Sequence, residues 1–300
     1  MHVVEALARL GGVAPSRLLV SATSRKRVRT ALKNSEIVRA EQGYALPTAD
    51  DGKVAAVRLS GLASHQSAAA IHGWEMKSQP DRPSVIVPRG RNVAPERRAG
   101  TDVRWRPRDS IENWNDLVTD EIQTVIDCAR DLPFDEALAI ADSALRRHAV
   151  HADDLERAAR RLATRGRGRA IRVVTHADGR AANPFESVLR AVALGVDGIA
   201  VEPQRWISDG SFRVRPDLVD PELRIVLEAD SFGFHADRAS LRRDCRRYVA
   251  LALRDWLVLR FSWEDVMFDP DYVAECIAWA VRRHGPRRRT TRADRARYAA

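Results

Sequence analysis

The chain has 300 residues, 45% of them hydrophobic, and its 50 lysines and arginines exceed its 41 aspartates and glutamates, which gives a formal net charge of +9. This length predicts two or three domains, and the positive charge favours polyanions such as nucleic acids as partners. The three separated cysteines exclude a disulfide framework, and without a long apolar stretch we expect a cytoplasmic protein that does not enter the membrane.

Residues 1–50 are predicted to form a winged helix-turn-helix domain. Two short helical patterns are followed by a third from about Ser24 to Lys33, and a turn at Gly43 between two short β runs predicts the wing. The third helix has no acidic residue and carries Arg25, Lys26, Arg27, Arg29 and Lys33. We predict that it enters the major groove of double-stranded DNA. The alternative is a protein-binding winged helix, or a small folding unit, with a solvated basic face.

Residues 51–165 are predicted to form a small α/β domain. Short β runs at 84–88 and 101–105 precede two amphipathic helices that Pro133 separates. Four histidines lack metal-ligand spacing to acids or thiols, so each is interpreted as a core or surface residue: His65, His72, His148 and His151. The basic, glycine-punctuated segment 160–170 is predicted to be a linker.

Residues 171–285 are predicted to fold as a three-layer α/β core in the order α-β-β-β-α-β-α. The first helix includes Glu186, and the strand at 224–229 has a continuous apolar run, as in strands covered on both faces. Residues 286–300 contain many arginines and no apolar periodicity, which predicts a disordered basic tail.

Carboxylates in this last domain follow a pattern that suits a metal site. Asp217 and Glu228 lie on successive strands of a predicted hairpin, Asp230 shares a face with Glu228, and Glu186 can approach from the preceding helix. A pair of carboxylates can hold Mg²⁺ for phosphodiester hydrolysis. The alternative, that the acids are solvated hairpin residues, explains Asp220 and Glu222 well: it explains Glu228 poorly, because an acid at the end of an apolar strand is desolvated.

The same region resembles the PD-(D/E)XK nucleases, and more closely their branch of very-short-patch-repair (Vsr) endonucleases. The resemblance rests on EADS at 228–231, on His235, on Asp244 with Arg247, and on LRFSWEDV at 259–266. It covers about 171–282 and implies a restriction-endonuclease-like core.

By this resemblance, Asp217 and Glu228 ligate Mg²⁺, the Ala229 carbonyl adds a ligand, and Glu186 assists through a second metal or a water. Asp230 occupies the position of the motif lysine, and every lysine of the chain lies at or before Lys77. The resemblance therefore implies that His235 or a nearby arginine orients water or stabilises the phosphate, while Asp230 takes a third ligand position. Ser231 stands where the branch has glycine.

Residues 1–150 resemble the AbiEi-type antitoxin module of type IV toxin-antitoxin systems. The matching stretches are GGVAPSRLL, EIVRAEQGYALP, SHQSAAAIHGW and VTDEIQTVIDCARDLP. This resemblance implies DNA binding, autoregulation and a possible toxin or regulatory partner. Two hypotheses follow from the sequence: a metal-dependent DNA endonuclease or nickase that the winged helix targets to duplex DNA, or a non-catalytic transcriptional regulator or antitoxin with a degenerate nuclease fold.

Overall fold

The computed structural model describes residues 1–111, 116–230 and 238–284. The chain forms two compact units, residues 1–179 and 180–300. Both contain helices and small sheets, so the predicted α/β class is confirmed. His235 and the predicted tail at 286–300 lie outside the described residues. Within the described part of the chain, no helix has the length and apolarity needed to cross a membrane.

The first unit begins with helices packed beside a small antiparallel sheet. Its elements are α1 (Val3–Arg9), β1 (Val13–Pro15), α2 (Ser16–Ala22), α3 (Arg25–Lys33), β2 (Val38–Ala40) and β3 (Gly43–Ala45), and the strand order is β1-β3-β2. Ser24 caps α3 by accepting a hydrogen bond from the backbone N–H of Arg27. Leu7, Leu19 and Val28 are buried in a shared core. Gly43 is required at the hairpin, since a Cβ there would collide with the Ala14 carbonyl.

A second sheet follows in the first unit. Its region comprises α4 (Asp51–Leu59), β4 (Leu62–Ala63), α5 (His65–Ile71), β5 (Ser84–Pro88), α6 (Pro95–Arg98) and β6 (Asp102–Arg106). The strand order is β4-β5-β6, in which β5 pairs antiparallel with β4 and parallel with β6. All of β5 is buried, as its apolar sequence leads one to expect.

The first unit ends in a helical cluster: α7 (Glu121–Asp131), α8 (Phe134–Arg146), α9 (Ala152–Arg161) and α10 (Thr164–His176). The segment 160–170, predicted as a linker, lies mostly within α9 and α10. Its glycines affect the structure only locally, because Gly166 adopts a left-handed φ of 80° at a kink in α10. Ala170 and Val173 are buried against the other helices, so packing of this apolar face outweighs the linker-like composition.

The second unit is built around a four-stranded mixed sheet. Its elements are α11 (Pro184–Ala193), β7 (Glu202–Pro203), β8 (Ile207–Asp209), β9 (Phe212–Val214), β10 (Leu218–Asp220), β11 (Ile225–Asp230), α12 (Arg238–Ala252), β12 (Leu257–Ser262), α13 (Trp263–Phe268) and α14 (Pro270–His284). The strand order is β12-β11-β10-β7, and β8 pairs with β9 as a separate hairpin.

Strand β11 is central in this sheet. It pairs antiparallel with β10 and parallel with β12. Ile225, Val226 and Leu227 are completely buried, which agrees with the continuous apolar run in the sequence. On one side Val226 packs with Leu251 of α12, while α11 also contacts β11. The buried part of β11 thus fixes the position of the acidic end of this strand.

Candidate functional site

Two carboxylates meet where β10 begins and β11 ends. The antiparallel register pairs Leu218 with Leu227, which places Asp217 beside Glu228 at the next position along the ladder. The backbone N–H of Ala229 donates a 2.9 Å hydrogen bond to Asp217 Oδ2, and the two carboxyl groups also hydrogen-bond each other. The structure therefore brings together the two residues that the sequence selected as metal ligands.

Glu228 is desolvated without full hydrogen-bond compensation. Its residue is 4% exposed, and its Oε1 is buried without a hydrogen-bond partner among the described residues. Arg247 Nη2 lies 3.4 Å from this oxygen. Burial and the negative charge of Asp217 raise the pKa of Glu228 to about 8. Burial also raises the pKa of Asp217, although the Ala229 N–H opposes the shift. In the absence of a cation, the pair therefore retains a proton at neutral pH.

Glu186 is held at the start of α11 by helix capping. Asn183 caps the helix through a hydrogen bond from the Glu186 N–H, and Pro184 occupies the first turn. In return, the Glu186 carboxylate accepts hydrogen bonds from Ala182 N at 2.8 Å and from Asn183 Nδ2 at 3.0 Å. Its side chain is buried, and these contacts fix the orientation of the carboxylate.

Gln204 joins Glu186 to the acidic pair, and the sequence did not single it out. Its Nε2 donates to Glu186 Oε2 at 2.9 Å and lies 3.4 Å from Asp217 Oδ1. Its backbone adopts a left-handed φ of 55°, which is strained for a residue with a side chain. The residue belongs to no recognised motif, and its role depends on contacts with residues distant in sequence. Strained backbone of this kind concentrates at functional sites.

Positive charge near the acids comes from arginine. Arg260 lies opposite Glu228 in the parallel register of β11 and β12 and forms an ion pair with Asp230. Arg247 of α12 approaches Glu228, and its guanidinium and that of Arg260 lie 4.9 Å and 4.5 Å from the ring centroid of Tyr248. Asp230 is thus paired with Arg260 on the neighbouring strand.

The solvated interpretation of Asp220 is wrong. Asp220 is buried, and its carboxylate accepts backbone hydrogen bonds from Ala200 at 2.7 Å, Glu222 at 3.0 Å and Leu223 at 2.9 Å. These bonds order the turn between β10 and β11, which maintains the register that aligns Asp217 with Glu228. Glu222 is exposed, as expected.

The predicted DNA-contacting residues share one exposed face of α3. Val28 and Ala31 of this helix are buried, whereas the basic residues Arg25, Lys26, Arg27, Arg29 and Lys33 are exposed. Arg27 donates a 3.1 Å hydrogen bond to the Met1 carbonyl. The helix therefore has the amphipathic form that the sequence predicts, with its positive charge directed to solvent.

A second group of possible metal ligands lies in the first unit. Ligand atoms of His65, Asp127 and Asp131 all lie within 4.8 Å of one another. The carboxylates of this group are already paired with arginine. Arg106 forms ion pairs with both aspartates, and Arg104 Nη1 lies 3.3 Å from Asp131 Oδ2. Asp127 and Asp131 lie one turn apart on α7, whereas His65 lies on α5, so the sequence spacing of the histidine does not indicate this group.

The chain was compared with known proteins. No family model matches it. Two proteins of Mycobacterium tuberculosis, named as uncharacterized proteins MT2308 (strain CDC 1551 / Oshkosh) and Rv2248 (strain ATCC 25618 / H37Rv), are each 32% identical over 164 residues. The alignment covers 54% of this chain and 60% of each relative, so only part of either protein is compared. The crystal structure of the Rv2827c protein of M. tuberculosis aligns with 62% of this chain and 78% of its own, at 15% identity and a TM-score of 0.34. That score is too low to support an argument about fold.

Proposed function

We propose that the chain is a metal-dependent DNA endonuclease or nickase, with a restriction-endonuclease-like core in the second unit and a DNA-targeting winged helix at the N-terminus. The observation that carries the proposal is the buried pair of Asp217 and Glu228, in which one carboxylate oxygen of Glu228 has no hydrogen-bond partner among the described residues. Leaving a buried acid unsatisfied costs free energy, and such a cost is typical of functional sites.

The donor set fits Mg²⁺. Asp217 and Glu228 would hold the ion, because hard divalent cations prefer carboxylate oxygens and a cation would compensate the desolvated Glu228. Bound there, Mg²⁺ would neutralise charge on a phosphodiester and lower the pKa of an attacking water. This assignment agrees with the resemblance to the Vsr-like nucleases.

The surrounding residues support the site in distinct ways. The carboxylate oxygens of Glu186 already accept hydrogen bonds from Ala182, Asn183 and Gln204. We therefore assign Glu186 a role in positioning the acidic pair through Gln204. Arg247 and Arg260 supply positive charge at the end of the sheet where the family motif has lysine. Their guanidinium groups suit phosphate oxygens, which accept paired N–H donors.

Plasmid nicking by the purified full-length chain tests this function. With Mg²⁺ or Mn²⁺, wild type is expected to nick supercoiled DNA, while Asp217→Asn and Glu228→Gln are expected to lose the activity. Glu222→Gln is the matched control, since Glu222 is an exposed acid on the same hairpin and should leave nicking unchanged. Calorimetry with Mg²⁺ alone should give binding to wild type and to Glu222→Gln but not to Glu228→Gln.

The nuclease proposal would be contradicted if supercoiled, mismatched and methylated DNA all remained intact with both metals.

The second candidate, a non-catalytic transcriptional regulator or type IV antitoxin, is favoured by the exposed basic face of α3 and by the missing motif lysine. It predicts tight binding to a specific promoter without nicking. Equal affinity for promoter and random DNA would count against it.

A further inference from the structure

We infer that the base of the β8–β9 hairpin, formed by Trp206, Arg213 and Arg215, is a DNA contact surface that stacks on an unpaired base beside the acidic pair. The role in substrate binding rests on the proposed nuclease function, whereas the surface itself can be tested without cleavage. The Trp206 surface, as we call these three residues, belongs to the second unit.

The side chains of this surface are exposed and stacked on each other. Trp206 is 48% exposed although its neighbours in the hairpin, Ile207 and Val214, are buried or half-buried. The guanidinium carbons of Arg213 and Arg215 lie 4.1 Å and 5.5 Å from the Trp206 ring centroid. Within residues 1–111, 116–230 and 238–284, neither arginine forms an ion pair with a carboxylate.

Chain connectivity places the surface next to the acids. Strand register pairs Ile207 with Val214, so Trp206 and Arg215 lie at the open end of the hairpin, where both strands rejoin the site. Trp206 follows Gln204 by two residues, and Arg215 precedes Asp217 by two. Two residues of extended chain span at most about 7 Å. The Cα atoms of Trp206 and Arg215 therefore lie within about 7 Å of those of Gln204 and Asp217, close enough for one strand of DNA to contact both the acids and the Trp206 surface.

The chemistry of this surface suits nucleic acid. A large aromatic ring offers a stacking platform for any base, and arginines beside it attract phosphates and release counterions. Contact with the Trp206 ring also restrains the Arg213 guanidinium, which reduces the entropy lost when it binds phosphate. An exposed base is needed for such stacking, so we commit to single-stranded or locally unpaired DNA as the occupant.

Fluorescence anisotropy with a labelled oligothymidine, in EDTA to prevent cleavage, tests the surface in the full-length chain. Trp206→Ala is expected to raise the Kd about tenfold, since loss of one base stack has effects of this order. Arg213→Gln with Arg215→Gln is expected to weaken binding and to reduce its salt dependence. Trp206→Phe should retain most of the affinity, because phenylalanine preserves the stacking face.

The matched control is Trp279→Ala. Trp279 is 54% exposed in the same unit and also has an arginine, Arg283, near its ring. Unchanged binding by Trp206→Ala, or an equal loss in Trp279→Ala, would overturn the inference, provided that circular dichroism shows both variants folded. The nicking assay tests the nuclease proposal separately from this surface. If Trp206→Ala weakens binding but wild type does not nick DNA, the surface is retained and the nuclease proposal is wrong. If wild type nicks DNA but Trp206→Ala binds as tightly as wild type, the nuclease proposal is retained and the surface is wrong.

Discussion

Glu228 is the residue on which the proposed chemistry of the second unit depends. An ionised Glu228, whose buried Oε1 has no hydrogen-bond partner among the described residues, is disfavoured, since the charges of Arg247 and Arg260 offset its desolvation only in part. Two states remove this cost: a proton on the Asp217–Glu228 pair, or a cation beside it. Proton and metal should therefore compete for the same carboxylates.

This competition leads to a prediction about metal-free protein. The pKa of Glu228 is raised to about 8 from an ordinary value of 4.5, so the folded state binds a proton more tightly than the unfolded state. The stability that this proton provides is fully present below pH 4.5 and decreases as the pH rises toward 8. Glu228→Gln removes the ionisation, and we expect it to stabilise the metal-free protein by about 1–3 kcal/mol at pH 8.

Urea unfolding in EDTA at pH 5 and pH 8 measures this difference. Wild type should lose stability between the two pH values, and Glu228→Gln should lose less, whereas exposed Glu222→Gln should follow wild type. Mg²⁺ should then stabilise wild type and leave Glu228→Gln unaffected, because a ligand that binds only the folded state shifts unfolding. A Glu228→Gln variant less stable than wild type at pH 8 would contradict this account.

At the scale of elements, the features that depend on hydrophobic periodicity can be predicted from local sequence patterns. The amphipathic α3, the buried β11 and the hairpin that aligns Asp217 with Glu228 could all be expected from residues a few positions apart. Gln204 could not, because its contacts with Glu186 and Asp217 depend on a left-handed backbone that no motif predicts. The segment 160–170 is mostly helical although a linker is predicted, because its arginine and glycine content masks a short apolar periodicity.

The ion-pair network of the first unit was also beyond local patterns. It joins His65 of α5, Arg106 of β6, and Asp127 and Asp131 of α7. Burial alone would raise the pKa of Asp131, but the hydrogen bond from His65 and the charge of Arg106 outweigh it and hold the pKa well below its ordinary value. The Arg106 guanidinium thus joins β6 to α7, and the hydrogen bond between His65 and Asp131 joins α5 to α7.

We expect Arg106→Met to destabilise the protein by about 3 kcal/mol, because it leaves Asp127 buried without its countercharge. Urea unfolding at pH 7 measures the loss. Arg160→Met is the control, since Arg160 forms an exposed ion pair with Glu156 on α9 and pairs of this kind contribute less than about 1 kcal/mol. Equal effects of the two substitutions would mean that the network does not hold these elements together.

At the scale of the whole molecule, lysine and arginine are distributed differently between the two units. Every lysine lies in the first unit, so arginine supplies the permanent positive charge of the second unit. Each unit also contains features that suit DNA: the exposed face of α3 in the first, and the acidic pair with its neighbouring arginines and the Trp206 surface in the second. Duplex binding and any cleavage should therefore be separable by substitution.

The salt dependence of duplex binding tests this separation. We expect Arg25→Ala, Arg27→Ala and Arg29→Ala together to reduce the slope of log Kobs against log salt by about 3, because each lost phosphate contact contributes about 0.9. The control replaces three exposed arginines of α9 with alanine: Arg157, Arg160 and Arg161. Both variants lose the same formal charge, so a general electrostatic effect would change both slopes equally and would exclude α3 as the duplex-binding helix. A smaller slope for the α3 variant alone, with nicking at low salt preserved, assigns recruitment to α3 and leaves cleavage to the second unit.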